Sequence, residues 1–235
     1  MIFYFQDESF YWTGGNIGLI DVFIFGSGGH AKVVIDILEK TEGYCIIGLI
    51  DGSKPRGTSA YGYTVVGDEE YITKYEGNAM GVVAIGDNWL RSKVVARILK
   101  IDNNFKFITA IHPSAVIARG VNIGDGTVVM AGVIINSDTV IGEHCILNTK
   151  SAMDHDNTIG DFVTLAPNAT TGGNVTIGNY SVLSLSGSII HAKVIGEHTV
   201  IGAGSTVLTD MGSNVVAYGT PARIIRIRAI GEKYL

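Results

Sequence analysis

The sequence predicts two unlike parts in one chain: an α/β N-terminal domain with a small parallel sheet, then a parallel β-helix of six-residue repeats. Three observations predict it. An apolar run, Ile20 to Phe25, ends in the glycine turn GSGGHA (Gly26 to Ala31) and continues into residues with helical spacing. Strand-like and helix-like segments then alternate as far as Ile108, which implies a parallel sheet. From Ile111 onward every sixth residue is aliphatic or Met through Val207, with Thr171 the sole exception.

Composition narrows the class. Hydrophobic residues make up 46% of 235 and charged residues 17%, too apolar a chain for intrinsic disorder. Seventeen Lys and Arg stand against 22 Asp and Glu, so there is no cationic footprint for nucleic acid. Cys45 and Cys145, far apart, provide no disulfide framework and suit a reducing cytosol. The apolar start, Met1 to Phe5, is interrupted by Gln6, Asp7 and Glu8 and is too short to span a bilayer; neither a leader nor a membrane anchor is expected. Glycine, at 31 residues, is about twice its usual share of ~7%, which points to repeated tight turns.

Taken in order, the expected elements are a strand over Ile20–Phe25, a helix over Lys32–Lys40 with Val33, Val34, Ile37 and Leu38 on its apolar face, and a strand over Cys45–Ile50 that delivers Asp51. A helix is expected over Asp68–Tyr75, a strand over Gly81–Ile85 leading to Gly86, a helix over Trp89–Lys100 and a last strand over Phe105–Ile108. Residues 1–19 are aromatic and Gly-rich and form an extension without an assignable period. In the repeat, Gly often follows the inward aliphatic (Gly124, Gly142, Gly160, Gly172, Gly178, Gly196, Gly202), as expected if glycine supplies corner backbone angles. A small or β-branched residue such as Thr127, Val133, Thr139, Ser181 or Ser205 lies four positions after it. Three hexads make one triangular coil, so residues 18 apart should stack at ~4.8 Å.

Two constellations carry chemistry. GSGGHA fits G-x-G-x-x-G/A between a strand and a helix, where backbone N–H groups favour a phosphate, and Asp51 is placed to accept from ribose hydroxyls. The alternative is a tight turn that binds nothing. The sheet is short for a dinucleotide fold and better suited to a mononucleotide or nucleotide-sugar. In the run Asn148 to Asp156, His155 falls two after the inward Met153, on the outer surface, and flanking Asp154 and Asp156 would raise its basicity. Counting by 18 places Gly173 and then His191 in line with it, giving a base, a backbone N–H able to polarise a thioester carbonyl, and a second imidazole. His144 and His198, in one hexad slot three coils apart, read as exposed surface residues.

With GSGGHA, IGDN-x-x-R (Ile85 to Arg91), NTKSAMDHD and the terminal GTPAR (Gly219 to Arg223) in one chain, the sequence resembles the bacterial sugar O/N-acyltransferase family with hexapeptide repeats, over about residues 20 to 228. The resemblance implies a Rossmann-like nucleotide-sugar-binding domain over 20–108 and a left-handed β-helix acetyl-CoA-binding domain with a C-terminal tail over 109–235. It implies His155 as base with Asp156 beside it, and acetyl-CoA contacts at Thr164, Gly173, Leu185 and Ala203. Nucleotide-sugar contacts would fall on Gly28, Gly29, His30, Asp51 and Gly86, with Asn148 near the site. Thr164 and Ala203 depart from a relative's His and Gly, and Gly52 from its second Asp. The metal-binding β-helix enzymes add a third His where this chain has Gly196, so no metal is expected. The implied protein is a cytoplasmic homotrimer with active sites between subunits. It would be an acetyl-CoA-dependent N-acetyltransferase acting on a nucleotide-linked amino sugar in bacterial glycan or O-antigen precursor synthesis. An O-acetyltransferase of sialic acid or a related sugar is the nearest alternative, and a non-catalytic nucleotide-binding β-helix module is another class.

Overall fold

A computed structural model describes residues 18–234; the expected N-terminal extension, as far as Ile17, lies outside the described residues. Strand β1 (Ile20–Phe25) is followed by helix α1 (Gly29–Glu39) and β2 (Tyr44–Ile50). A hairpin of β3 (Ser59–Ala60) and β4 (Tyr63–Gly67) comes next, a 3-10 turn over Glu69–Lys74, then β5 (Ala79–Val83) and α2 (Asn88–Ile101). The sheet order is β3-β4-β2-β1-β5, parallel throughout except for the β3–β4 hairpin.

Three expectations change. The helix expected at Asp68–Tyr75 is a six-residue 3-10 turn whose Asp68 side chain makes no cap. The hairpin at Ser59–Gly67 was not anticipated, since Pro55, Gly57 and Gly62 punctuate it and leave little period to read. Phe105–Ile108 is no strand: it meets the sheet at one bridge, Gly81 to Phe107, and its phenylalanines pack edge-on instead.

The repeat folds as expected into stacked two-residue strands, from β6 (Ala110–Ile111) to β22 (Thr206–Val207). They form three walls, and each strand pairs in parallel with its equivalent one coil on, as Ile135 does with Met153. One wall is six-stranded, one five-stranded and one eight-stranded, the last closing with β23 (Val215–Gly219) and the antiparallel β24 (Ala222–Ile227). The interior is lined by the inward aliphatics and by the residues four after them: Thr127, Val133, Thr139 and Ser181 are fully buried. Buried hydroxyls there are satisfied by the next coil, as Thr127 Oγ1 donates to the Gly142 carbonyl at 2.9 Å and accepts from Cys145 N at 2.9 Å.

The glycines of the repeat serve a different purpose from the one expected. Left-handed backbone falls three residues after the inward aliphatic, at Gly120, Gly126, Gly132, Asp138, His144, Lys150, Asp156 and onward, mostly at non-glycine residues. The glycine directly after the aliphatic has no left-handed φ; it lets one coil sit on the next. A Cβ at Gly178 would lie 2.6 Å from Glu197 N and 2.8 Å from Gly196 C. Steric closeness, not torsion, selects it.

The sheet has two covered faces. Val22, Ile24, Val34 and Leu49, under α1, join through Ala110 and Val128 to the coil interior as one core. Phe23, Phe25, Val83, Val95 and Ile98 form a second core under α2. A column of rings then docks α2 on the coil. His144 stacks on Phe162 with centroids 5.3 Å apart, Phe162 on Tyr180 at 5.1 Å and Tyr180 on His198 at 4.7 Å, each ring one coil beyond the last. Phe107 meets the His144 ring edge-on, and Trp89 packs against Tyr180 and His198. His144 is therefore 3% exposed and His198 half-buried, correcting their reading as surface residues. Burial, with the Arg91 guanidinium nearby, pushes the His144 imidazole down to about 4.

This packing has measurable consequences for stability. Gly178→Ala should lower the unfolding free energy by about 2 kcal/mol through forced overpacking, whereas Gly132→Asn, at φ +69° with the nearest contact 3.4 Å away, should be neutral or stabilising; urea midpoints compare the two. His144 stays neutral when folded but protonates near 6.5 when unfolded, so stability is full above about pH 6.5 and is lost as pH falls toward 4, by on the order of 3 kcal/mol. His144→Phe keeps the stack, as Phe162 does with the same left-handed φ, and should flatten that acid loss in melting curves.

Candidate active site

The coil has three corners, and the chemistry gathers at one. After β13 (Ala152–Met153) the chain turns through Asp154, His155 and Asp156. His155 N donates to Asp154 Oδ1 at 2.9 Å, and Asn136 Nδ2 holds the same oxygen at 3.1 Å. Asp156, in left-handed backbone, swings its carboxylate back so that Oδ2 lies 2.6 Å from His155 Nδ1. With Nδ1–H donating to Asp156, Nε2 carries the free lone pair. The hydrogen bond to Asp156, then the charge of Asp154, raises the basicity of this exposed imidazole above its ordinary value.

One coil on, Gly173 lies directly against the ring. A Cβ there would sit 2.7 Å from His155 Cε1 and 2.9 Å from Nε2, so only glycine admits the imidazole in this position. The Gly173 carbonyl accepts from Ala192 N, while its own N–H makes no hydrogen bond among the described residues. An imidazole lone pair and a free amide N–H thus stand side by side. His191, exposed, follows in the same column.

The other residues assigned by resemblance lie elsewhere in the single chain. Leu185 and Ala203 stack on a different corner, behind the eight-stranded wall, where Gly204 N donates to the Leu185 carbonyl; both are exposed. Asn148 leads into that corner and bonds Thr149 N through Oδ1. Thr164, expected to face the cofactor, is 5% exposed under α2, and its hydroxyl accepts from Arg91 Nη2 at 3.3 Å. One chain does not bring Thr164, Leu185 or Ala203 to His155.

The glycine turn forms a second site. Gly26 has φ +110°, and a Cβ on it would touch the Ala84 carbonyl at 3.0 Å; glycine is required here on both counts. Gly28 and Gly29 open α1 without a side-chain cap and face open space, leaving the first-turn N–H groups accessible. Beside them is a cavity of about 280 Å³ lined by Ser27, Gly28, Lys32, Lys54 and Tyr61, among others. Ser27 donates to Asp51 Oδ2, Ser53 N and Oγ bond Oδ1, and Lys54 Nζ reaches the Ser27 carbonyl at 2.9 Å. Partial burial pushes the Asp51 carboxyl up, but these hydrogen bonds and the Lys54 charge outweigh it and hold it below the usual carboxylate range. Ser27 stands in GSGGHA only as a variable position, and Lys54 and Tyr61 carry no motif, so the sequence assigned none of the three to the site.

His30 departs from the cavity. Burial, then the Arg91 charge, pushes its pKa down to about 4, and Nε2 is buried with no partner among the described residues. Gly86 sits on the loop leaving β5, its carbonyl accepting from Arg91 Nη1 at 2.9 Å and from the Tyr234 hydroxyl at 2.8 Å. No helix of the described residues is long and apolar enough to cross a membrane.

Known proteins share this architecture. A family profile described as the PglD N-terminal domain matches residues 21–98. The GDP-perosamine N-acetyltransferase of Escherichia coli O157:H7 is 30% identical over 153 residues, 61% of this chain and 66% of that protein. The UDP-N-acetylbacillosamine N-acetyltransferase of Bacillus subtilis (strain 168) is 36% identical over 116 residues, 47% of this chain. The aligned region thus spans 66% and 51% of these two curated relatives. Among solved structures, PerB from Caulobacter crescentus, in complex with CoA and GDP-perosamine, is matched over 100% of its chain and 90% of this one, at 37% identity and a TM-score of 0.82. The acetyltransferase domain of PglB from Neisseria gonorrhoeae FA1090, in complex with acetyl coenzyme A, is matched at 26% identity and a TM-score of 0.81, over 88% of this chain and 100% of that one. The coil is the left-handed parallel β-helix of these proteins, and with more than a third of residues identical over the whole of a solved relative, the chain belongs to the bacterial hexapeptide-repeat sugar acyltransferase family.

Proposed function

We propose that this protein is an acetyl-CoA-dependent N-acetyltransferase acting on a nucleotide-linked amino sugar, with His155 as general base. The observation that carries the reading is the His155–Asp156 pair lying against Gly173, whose N–H is unbonded, in a chain that spans the whole of a relative solved with CoA and GDP-perosamine.

Acetyl-CoA supplies the acetyl group as a thioester. The nucleotide docks at Gly28, Gly29 and Asp51, with its phosphates at the α1 N-terminus and Lys54, and its sugar amine reaches the His155 corner. His155 Nε2 takes the amine proton as the new N–C bond forms and the C–S bond breaks, and returns it to the departing thiolate; Asp156 holds the ring in the required tautomer throughout. The Gly173 N–H offers a hydrogen bond to the carbonyl oxygen as negative charge develops on it. No covalent enzyme intermediate is required, and Cys145 is buried inside the coil with its thiol pushed up to about 12, chiefly by burial.

The acting unit is a homotrimer with its sites between subunits. Support comes from the separation of corners: Leu185, Ala203 and Asn148 share one corner and His155 another, so a groove containing both needs a second copy. The reaction belongs to the cytoplasm, a reading supported by the free thiols of Cys45 and Cys145.

His155→Ala should keep its melting temperature and oligomeric state yet lose turnover by at least about 100-fold in thiol release from acetyl-CoA; near-normal turnover would remove His155 from the chemistry. Since only neutral His155 accepts a proton, kcat/KM should fall on the acid side with a midpoint above 6.5, and Asp156→Asn should move that limb down toward 6.5 while slowing the reaction. Asp51→Ala should weaken GDP- or UDP-sugar binding about tenfold with acetyl-CoA affinity unchanged, as titration calorimetry would read; equal loss of both would contradict separate sites.

A further inference from the structure

Among the described residues, Arg91 is the largest side chain that is fully buried, 1% exposed, and no carboxylate pairs with it there. Its guanidinium is spent on neutral acceptors. Nη1 donates to the carbonyls of Ile85 at 2.8 Å and Gly86 at 2.9 Å, on the loop leaving β5. Nε donates to the His144 carbonyl at 2.8 Å, and Nη2 reaches the Phe162 carbonyl at 3.2 Å and Thr164 Oγ1 at 3.3 Å, on two successive coils where the corner enters the eight-stranded wall. A buried charge with no carboxylate in ion-pair contact, Asp87 acting on it only from farther off, costs several kcal/mol unless every donor is satisfied, and an apolar side chain at 91 would strip these carbonyls of their donor. What an apolar residue lacks is a rigid planar fork that fixes two bodies at once.

We infer that Arg91 is a positioning residue for the acyl transfer, setting the Gly86 loop at a fixed place on the β-helix wall so that a nucleotide-sugar held by the N-terminal sheet presents its amine at the transfer corner. The inference rests on the functional reading above, together with the nucleotide-sugar contact that the family resemblance implies for Gly86. A second donor supports it: Tyr234, from the far end of the chain, packs on Val182, Val200 and Val216 and gives its hydroxyl to the same Gly86 carbonyl. One donor comes from α2 and the other from the tail beyond the coil, and because the peptide is planar and trans, pinning this carbonyl also fixes the direction of the Asp87 N–H opposite it. Thr164, whose hydroxyl lies 3.4 Å from that of Tyr234 and 3.3 Å from Arg91 Nη2, is part of the same clamp. A displacement of the loop by an ångström is the kind of error that costs about 100-fold in rate.

The test compares Arg91→Lys and Tyr234→Phe with the wild type in steady-state kinetics against GDP- and UDP-linked amino sugars, with acetyl-CoA varied separately, alongside melting curves. Lysine keeps the charge but reaches from one point. We expect kcat/KM for the nucleotide-sugar to fall at least tenfold in Arg91→Lys and about threefold in Tyr234→Phe, with KM for acetyl-CoA within twofold of wild type and Tyr234→Phe melting as the wild type does. Wild-type kinetics in both variants, or equal loss toward both substrates, would overturn the inference. Should Arg91→Lys fail to fold, Tyr234→Phe decides alone on the same criteria. If the wild type acetylates no nucleotide amino sugar, the functional reading fails, and hydrogen exchange over residues 84–90 then judges the clamp: faster exchange there in Arg91→Lys, with β1 and α1 unchanged, upholds the fixed loop, and unchanged exchange overturns it.

Discussion

Everything in the second half of this protein depends on closing each coil in three hexads. A parallel ladder built of two-residue strands has almost no stability of its own, so register must come from elsewhere. It comes from interior side chains stacked on their equivalents one coil away, such as Ile141 on Ile159 and Ile177, and from corners that turn through left-handed backbone once per hexad. Those corners carry ordinary residues, Asp156, Phe162 and Tyr180 among them, at a torsional cost of roughly 1 kcal/mol each. The stacked coils offset it, and the surplus positions become available for chemistry. Asp156 can face His155 because its backbone is left-handed; the proposed catalytic pair is a product of the corner geometry.

The same register explains what the sequence made legible. The inward aliphatics, the strand positions and the alignment of His155 with Gly173 all follow from counting by hexads and by whole coils, because in a coil sequence distance converts directly into space. The first half yields to a weaker period and still gave β1, β2, α1 and α2 to within a few residues. The hairpin at Ser59–Gly67 stayed hidden because its strands are two and five residues long, and Phe105–Ile108 misled because an aromatic run reads alike as a strand or as an edge-packed segment.

The site was half legible for a physical reason. Residues on one corner can be found by arithmetic, whereas contacts between the sheet and the coil depend on how α2 docks. Counting set His144 and His198 in one column but could not reveal that Trp89 and Phe107 cover it, nor that Phe162 and Tyr180 complete it. In the same way the arginine in IGDN-x-x-R was visible as a motif while its acceptors, drawn from both halves of the chain, were not. Family resemblance assigned Thr164, Leu185 and Ala203 to a cofactor without regard to which wall each occupies.

The end of the coil carries one more consequence. The last turn is cut short of three full hexads: Ile195 lies opposite Met211 and Ile201 opposite Ala217, where an unbroken repeat would have reached Ser213 and Gly219. Strand β24 then runs antiparallel, with Arg223 and Arg226 among its isoleucines. A repeating parallel ladder left open would be a template on which another copy could continue end to end, in the manner of a growing filament. Shortening the final turn spoils the repeat, reversing the last strand spoils the direction, and the arginines add charge to the rim. These residues leave that end of the eight-stranded wall a poor template for a second coil.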